Sequence, residues 1–251
     1  MERIESREEL AHLASGDPWV RWVVPAELPP VWFDGRVAVI QRGGKRPGFW
    51  VTPLDRSEVS AEQLRPALTW LGSSGLLDQP DVFAVSAPQQ HAGLLESLLG
   101  LGEGGDWEWM WTDSAPPVDP REAAIVELDD RRDGPTIEAF SRANNPRVWT
   151  EIGTGRMHGW LGLMDEAGHL IAVGGAEREA TGVPHLAGIV TAVDRRREGL
   201  GSVVSAALTR RAVAEHGVCT LGMFSDNDTA RRVYHRLGYR TARAWASRRL
   251  P

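Results

Sequence analysis

The amino-acid sequence predicts an α/β (α+β) fold in which two domains follow one another along 251 residues. Patterns typical of strands and of helices are interspersed throughout the chain, which indicates sheets covered by helices. A stretch rich in proline and aspartate, residues 113–120, is typical of a linker. It predicts an N-terminal domain at residues 1–112 and a C-terminal domain at residues 121–251, each of ordinary domain size.

The C-terminal domain has the clearer pattern, which predicts the order β-α-β-β-β-α-β-α-β. The turn at residues 165–168 joins two of its strands in a predicted hairpin. The predicted strands are Ala124–Leu128, Gly159–Met164, Leu170–Ala176, His185–Ala192, Val218–Phe224 and one or two within Tyr239–Arg249. The predicted helices are Thr136–Arg142, Leu200–Glu215 and Asp228–Leu237.

The N-terminal domain gives mixed signals that predict the order β-β-α-β-α-β over residues 31–111. Its predicted strands are Val37–Gln41, Phe49–Thr52, Asp81–Ser86 and Trp107–Trp111, and its predicted helices are Ala61–Leu71 and His91–Leu101. In the last strand Trp107, Trp109 and Trp111 alternate with other residues, so they share one face. Such a face serves either as a ligand platform or as packing surface, and packing is the commoner use.

Composition narrows the class of protein. No apolar run reaches the roughly 18 residues of a membrane span, and the charged N-terminus lacks the apolar stretch that is typical of a signal peptide. Cys219 is the only cysteine, which excludes an internal disulfide and disfavours a cysteine-based metal site. The composition predicts a cytoplasmic protein without a membrane or metal partner, and we expect a monomer or homodimer.

Charge is distributed unevenly along the chain. Residues 195–251 hold twelve arginines against four acidic residues, an excess of eight positive charges in a chain of net charge −6, so residues 1–194 carry −14. A basic segment on an acidic protein indicates a local anionic ligand rather than affinity for nucleic acid. The acidic remainder is consistent with a cationic small-molecule ligand.

A glycine-rich loop between a predicted strand and helix is the first stretch that carries chemistry. It reads Arg-Arg-Glu-Gly-Leu-Gly-Ser at residues 196–202. Glycines let backbone amides approach a ligand, and the helix that follows adds the positive end of its dipole, so the loop suits a pyrophosphate. The Gly-Lys-Ser/Thr of a P-loop is absent. The dinucleotide fingerprint lacks its third glycine, although Asp226 lies near the position of a ribose-binding acid, so NAD binding is disfavoured but stays open.

The second stretch is residues 225–239, which a predicted helix occupies. Asp226 or Asn227 is suited to cap that helix, and Tyr234 falls on its apolar face. A tyrosine in this position is usually buried and hydrogen-bonded to a carbonyl. The functional alternative is that its hydroxyl reaches a cleft and donates a proton.

Together these stretches resemble the GNAT superfamily of acyl-CoA N-acyltransferases, over about residues 121–251. The family pattern Arg-x-x-Gly-x-Gly/Ala is matched by Arg196, Gly199 and Gly201. About 25 residues later, the pattern Asn-x-x-Ala-x-x-x-Tyr-x-x-x-Gly-Phe/Tyr is matched by Asn227, Ala230, Tyr234, Gly238 and Tyr239. The family often has a proline before the arginine motif, and this chain has none there.

The resemblance implies a mixed sheet, flanked by helices, that splays open between its fourth and fifth strands, here His185–Ala192 and Val218–Phe224. Acetyl-CoA would bind in the gap as acyl donor. Backbone groups of Ile189, Val190 and Thr191 would bind pantetheine and the thioester oxygen, and Asn227 would contact the cofactor arm. The pyrophosphate would be bound by the backbone amides of Arg197, Glu198, Gly199, Leu200, Gly201 and Ser202, supported by Arg196.

The implied reaction is direct attack of a small-molecule or peptide amine on the thioester in a ternary complex. Tyr234 would donate a proton to the leaving thiolate, and Glu177 is the leading candidate for the base, ahead of Glu179 and His185. Two other functions stay open: a non-catalytic acyl-CoA-binding module and, less favoured, an NAD-linked oxidoreductase. The N-terminal domain resembles a degenerate GNAT half without the arginine motif and the tyrosine; the alternative is an unrelated α/β domain.

Overall fold

The computed structural model describes residues 1–44, 46–55 and 57–250. The chain forms two compact units that are not contiguous in sequence. The first contains Met1–Trp109, Met223–Asn227 and the segment from Thr241 onward, and the second contains Met110–Gly222 and Asp228–Arg240. The sequence predicts that the C-terminal segment belongs to the second domain, whereas here it belongs to the first compact unit. The predicted domain boundaries at residues 112 and 121 stay a prediction.

The first unit is a sheet with the strand order β1-β2-β3-β4-β5-β12-β6. Neighbours from β1 to β4 are antiparallel, β4 and β5 are parallel, and β5 and β12 are antiparallel. The strands are β1 (Glu2–Ile4), β2 (Val31–Phe33), β3 (Val37–Arg42), β4 (Gly48–Pro53), β5 (Ala84–Pro88), β6 (Gly104–Thr112) and β12 (Arg240–Arg249). The helices are α1 (Arg7–Leu13), α2 (Pro18–Val23), α3 (Ala61–Ser73) and α4 (Ala92–Leu99).

Two apolar layers stabilise this sheet. On one face, alternate residues of β3, β4 and β5 form a fully buried core with α3 and α4, including Val39, Phe49 and Leu68. A second cluster consists of Trp19, Trp50 and Trp245, with ring centroids 5.0 and 5.1 Å from Trp19. Burial of such aromatic and aliphatic side chains is the main favourable term in folding.

No element was predicted in the first 30 residues, where the structure has β1, α1 and α2, and β2 was not predicted either. Local signals for both helices are present. Ser6 caps α1 by accepting a hydrogen bond from the amide of Glu9 at 3.1 Å. Asp17 caps α2 in the same way at 2.9 Å from the amide of Val20, and Pro18 occupies the first turn.

The second unit follows the predicted order of elements. Its sheet order is β11-β10-β9-β8-β7, with antiparallel pairs from β7 to β10 and a parallel pair of β10 and β11. The strands are β7 (Ile125–Leu128), β8 (His158–Met164), β9 (Leu170–Arg178), β10 (Pro184–Thr191) and β11 (Cys219–Phe224), and the helices are α5 (Gly134–Asn144), α6 (Leu200–His216) and α7 (Asp228–Arg236). The predicted hairpin is present, closed by a 2.9 Å hydrogen bond from the amide of Asp165 to the carbonyl of His169.

Helices α5 and α6 lie on opposite faces of this sheet. Gly174 in β9 faces α6, since a Cβ there would lie 3.0 Å from a methyl carbon of Val204. Gly175 faces the other side, where Ile137 of α5 packs with Trp160 and Val173. In the described part of the chain, no helix combines the length and apolarity needed to span a membrane.

Candidate functional site

The glycine-rich loop lies between the end of β10 and the start of α6, as the sequence predicts. Arg197 and Gly199 have left-handed backbones, with φ of 72° and 80°. This conformation costs a non-glycine residue energy and is found preferentially at functional loops. Gly199 is the N-cap of α6. The next two amides, of Leu200 and Gly201, have no acceptor within the helix, so the loop presents N–H donors and the positive helix end.

Long-range contacts fix the loop. The carbonyl of Glu198 accepts a 2.7 Å hydrogen bond from Arg121, and the Glu198 carboxylate binds Arg195 through two bonds of 2.8 and 2.9 Å. Asn144, at the end of α5, accepts from Arg196 through its carbonyl at 2.7 Å and from the Val193 amide through its side chain at 2.9 Å. The sequence did not predict that Arg121 and Asn144 contact this loop.

Gly201 lets α6 begin close against β10. A Cβ at this position would lie 3.0 Å from Oγ1 of Thr191 and 3.9 Å from a carbon of Ile189. The close approach brings the loop beside the strand that the sequence analysis expected to bind pantetheine. Backbone approach of this kind is a general reason for glycine in a binding loop.

The parallel strands β10 and β11 separate at the point where β10 is irregular. Their pairing covers His185↔Thr220 and Leu186↔Leu221. On the other side of β10, the register with β9 shifts between Ala187 and Val190. Gly188, inside this irregularity, has φ of 65°. Ile189, Val190 and Thr191 therefore lie beyond the pairing with β11, next to a bulge of the kind that re-aims backbone groups near active sites.

Tyr234, in α7, is 8% exposed. Its ring packs edge-on against Tyr239, with centroids 5.7 Å apart. Burial raises the pKa of Tyr234 to about 12, an effect that the hydroxyl of Ser205 partly offsets. The phenol is consequently protonated at neutral pH and is a donor.

Three ionisable side chains meet where β9 and β10 pair. Glu177 is the cross-strand partner of His185, and Glu179 lies 2.9 Å from Nδ1 of His185. Burial lowers the pKa of His185, but Glu179 and then Glu177 raise it more, so the net pKa is above its ordinary value. The hydroxyl of Thr220 lies 2.9 Å from the same nitrogen and donates to the carbonyl of Pro184 at 3.2 Å. All three candidates for the base are thus neighbours.

A groove of the second unit borders Glu177. His158, Leu208, Arg211 and Glu215 are among its other lining residues. The lining therefore contains acidic, basic and apolar side chains.

Asn227 lies in a segment of the first unit, Met223–Asn227, where its amide donates to the carbonyl of Phe224 at 3.0 Å. Its predicted contact with the cofactor arm stays a prediction. The alternating tryptophans pack against other residues, and Trp109 is buried. Trp107 stacks on Trp245 and donates to Ser247 at 2.8 Å, and Trp111 lies beneath Arg240.

Three solved structures of similar fold are distant in sequence from this chain. A GCN5-related N-acetyltransferase from Kribbella flavida superposes with a TM-score of 0.54 at 16% identity, over 96% of this chain and 95% of that one. A GNAT-family protein from Novosphingobium aromaticivorans gives 0.53 at 20% identity, over 82% and 88%. A GNAT-family acetyltransferase from Colwellia psychrerythraea gives 0.52 at 12% identity, over 100% and 99%. These likenesses establish a GNAT fold and confirm the predicted fold class.

The family model of FR47-like proteins matches residues 160–250, which include the loop, β10, β11 and Tyr234. The match adds a family likeness over this segment to the GNAT fold that the chain shares with the solved structures. No curated protein matches the chain. The antiparallel run from β7 to β10 also differs from the doubly wound parallel sheet of dinucleotide-binding domains, which removes the support for an NAD-linked oxidoreductase.

Proposed function

We propose that this protein is an acyl-CoA N-acyltransferase that moves an acetyl group from acetyl-CoA to the amine of a small molecule or peptide. One observation carries the proposal: the glycine-rich loop at the start of α6 adjoins the stretch of β10 that has separated from β11. Anion-binding amides and an open strand edge then lie side by side, as a pyrophosphate joined to an amide-containing arm requires.

The residues of the loop fit a pyrophosphate. Arg197 and Gly199 have the left-handed backbones found in anion-binding turns, and the missing side chain of Gly201 lets the start of α6 approach β10. Arg196 supplies positive charge beside the loop, although its guanidinium also binds the carbonyl of Asn144. Beyond the bulge, the backbone of Ile189 to Thr191 is the proposed partner of the pantetheine arm and the thioester oxygen.

Catalysis by direct attack requires a neutral amine, donors for the developing oxyanion and a proton for the leaving thiolate. We assign proton acceptance to Glu177 and proton donation to Tyr234. Glu177 lies opposite His185, which precedes Gly188 by three residues and hence by about 10 Å along the strand. This separation favours a base that acts through water. The groove that borders Glu177 supplies room for the amine.

The first unit is proposed to be a degenerate GNAT half. Its antiparallel strands also lead into a parallel pair, with β4 and β5 matched from Gly48↔Ala84 to Trp50↔Ser86. At the end of β3, however, Arg42 pairs with Gly48 of β4. The equivalent place in the second unit, at the end of β9, holds Glu177, which pairs with His185 of β10. A base is therefore missing from the equivalent place, which supports a unit without acyl-transfer chemistry of its own. Cytoplasmic location and a monomeric or homodimeric state also remain proposals.

The test is calorimetric binding of acetyl-CoA to the wild type and to Gly201→Glu. A glutamate at residue 201 adds a negative charge beside the proposed pyrophosphate site and forces a Cβ against Thr191. We therefore expect affinity to fall at least about tenfold, or about 1.4 kcal/mol. Ala214→Glu is the matched control, since it adds the same side chain at an exposed position near the other end of α6. Its affinity should match the wild type.

Binding that the loop variant abolishes, followed by amine-dependent release of free thiol from acetyl-CoA, supports the acyltransferase. Binding without thiol release across a broad panel of amines supports instead the non-catalytic acyl-CoA-binding module. A wild type that does not bind acetyl-CoA contradicts the proposed donor.

A further inference from the structure

Trp160 of β8 fills a slot between two glycines of neighbouring strands. The side chain is fully buried. A Cβ at Gly175 of β9 would lie 2.9 Å from one carbon of the indole, and a Cβ at Gly188 of β10 would lie 2.6 Å from another. The ring therefore spans both strands, and only glycine leaves room for it at these two positions. One of them is the left-handed residue of the β10 bulge.

The indole is held from its other end by a buried carboxylate. Nε1 of Trp160 donates to Oδ1 of Asp130 at 2.7 Å, and Asp130 is only 6% exposed. Burial by itself raises the pKa of Asp130, but hydrogen bonds, the largest from Trp160, lower it below its ordinary value. The acceptor is thus ionised at neutral pH, and a hydrogen bond to an ionised group is shorter and stronger than a neutral one.

The same carboxylate fixes the segment that precedes β8. Asp130 accepts hydrogen bonds from the amide of Gly153 at 3.1 Å and from that of Gly155 at 2.6 Å. A methyl carbon of Thr150, just before these glycines, lies 3.6 Å from the Cβ position of Gly188. The indole of Trp160 and the segment that precedes β8 therefore both lie against the bulge. Asp130 accepts hydrogen bonds from the indole and from that segment.

We propose that Asp130 and Trp160 are positioning residues, which act through Gly188 to hold the bulge of β10 in the conformation that aims its amides at the thioester oxygen. This inference rests on the proposed acyl transfer at β10. Packing restricts a bulge because a close-packed interior leaves few alternative backbone positions. A preorganised donor stabilises developing charge without having to reorient during the reaction.

The experiment uses Asp130→Asn and Trp160→Phe in the full chain. Asparagine keeps the volume of the carboxyl group but loses its charge, and phenylalanine keeps an aromatic ring but loses the N–H. We measure kcat, the KM of the amine and the calorimetric Kd of acetyl-CoA. The expected result is a fall in kcat of at least about tenfold, with the Kd unchanged within about threefold because the pyrophosphate loop is untouched.

The two substitutions act on one hydrogen bond, so the double variant should lose little more activity than the stronger single variant. Amide resonances of Gly188, Ile189 and Val190 in an NMR spectrum should shift in both variants. Matched controls come from the first unit. Asp34→Asn removes a carboxylate that accepts hydrogen bonds from two backbone amides, at 2.9 and 2.7 Å. Trp70→Phe replaces a packed tryptophan of α3 by a smaller aromatic ring. Neither control should change kcat.

Values of kcat within about twofold of the wild type overturn the proposal, as do equal losses in the controls or a parallel loss of acetyl-CoA affinity. If Trp160→Phe does not fold, the volume-preserving Asp130→Asn supplies the test, and failure of both to fold shows a purely structural role. A wild type without transferase activity refutes the proposed function. In that case the amide shifts at residues 188–190 still decide whether Asp130 holds the bulge.

Discussion

Replacing Tyr234 by phenylalanine tests the proposed proton donor with little change in packing. The ring that contacts Tyr239 is retained, and only the hydroxyl is lost. Since burial raises the pKa of Tyr234 to about 12, the phenol is protonated throughout the neutral range. Its proton can therefore be shared with a developing thiolate at any pH at which the enzyme operates.

The raised pKa also limits the size of the effect. A thiol has a pKa of roughly 8.5, so complete transfer from a phenol of pKa about 12 is uphill by about 3.5 units, or about 5 kcal/mol. The hydroxyl should therefore act chiefly as a hydrogen-bond donor to developing negative charge. Hydrogen bonds to charged groups contribute roughly 1.5–3 kcal/mol, which corresponds to a fall in kcat of roughly 10- to 150-fold.

The assay is thiol release from saturating acetyl-CoA with the best amine substrate, together with calorimetry to show that the Kd is unchanged. Tyr239→Phe is the control, because it is the only other tyrosine and its buried hydroxyl bonds to Thr209 at 2.8 Å. That variant should lose about 1 kcal/mol of stability and keep its kcat. A Tyr234→Phe enzyme within twofold of the wild type, or an equal loss in Tyr239→Phe, refutes the assignment.

Two further predictions concern the pKa of His185 and the free energy of unfolding of a Gly188 variant. Glu179→Gln should lower the pKa of His185, followed by NMR, because it removes the largest contribution that opposes burial. Glu177→Gln should lower that pKa less. Because folding raises the pKa of His185, its interaction with Glu179 contributes stability that is complete below about pH 6.5 and is lost as the pH rises through the folded pKa. A free energy of unfolding that does not change with pH above about 6.5 in the wild type would contradict this prediction. Gly188→Ala should cost about 2–5 kcal/mol in urea unfolding, from a left-handed backbone and a Cβ 2.6 Å from the indole. Gly168→Ala, with similar φ but open space, should cost only about 1–2 kcal/mol, and equal costs would show that the indole imposes no constraint.

The sequence predicted the second unit well because its elements are long and strongly periodic. Helix α6 was expected at 200–215 and begins at Leu200. The N-terminal region was missed because its helices have only seven and six residues, too short for a periodic signal, although their caps are conventional. The pairing of β12 with β5 could not be predicted either, since Trp245↔Pro88 joins residues far apart in the chain and no local pattern encodes such a partner.

The candidate site likewise contains parts that were predictable from the sequence and parts that were not. The left-handed backbone at Gly199 and the close approach at Gly201 follow from glycines in a local motif, so the loop was predictable. Arg121 and Asp130 were not, because each acts on a segment distant in sequence through contacts that only the folded chain creates. The glycine at residue 188 was a usable signal: inside a strand, glycine often marks a bulge.

The most direct test of the central claim is a crystal structure of the protein with coenzyme A. We expect the pyrophosphate within hydrogen-bond distance of the amides of residues 197–202 and the pantetheine arm alongside residues 187–191 of β10. Coenzyme A bound elsewhere, or a loop that stays free of ligand in crystals saturated with coenzyme A, would contradict it.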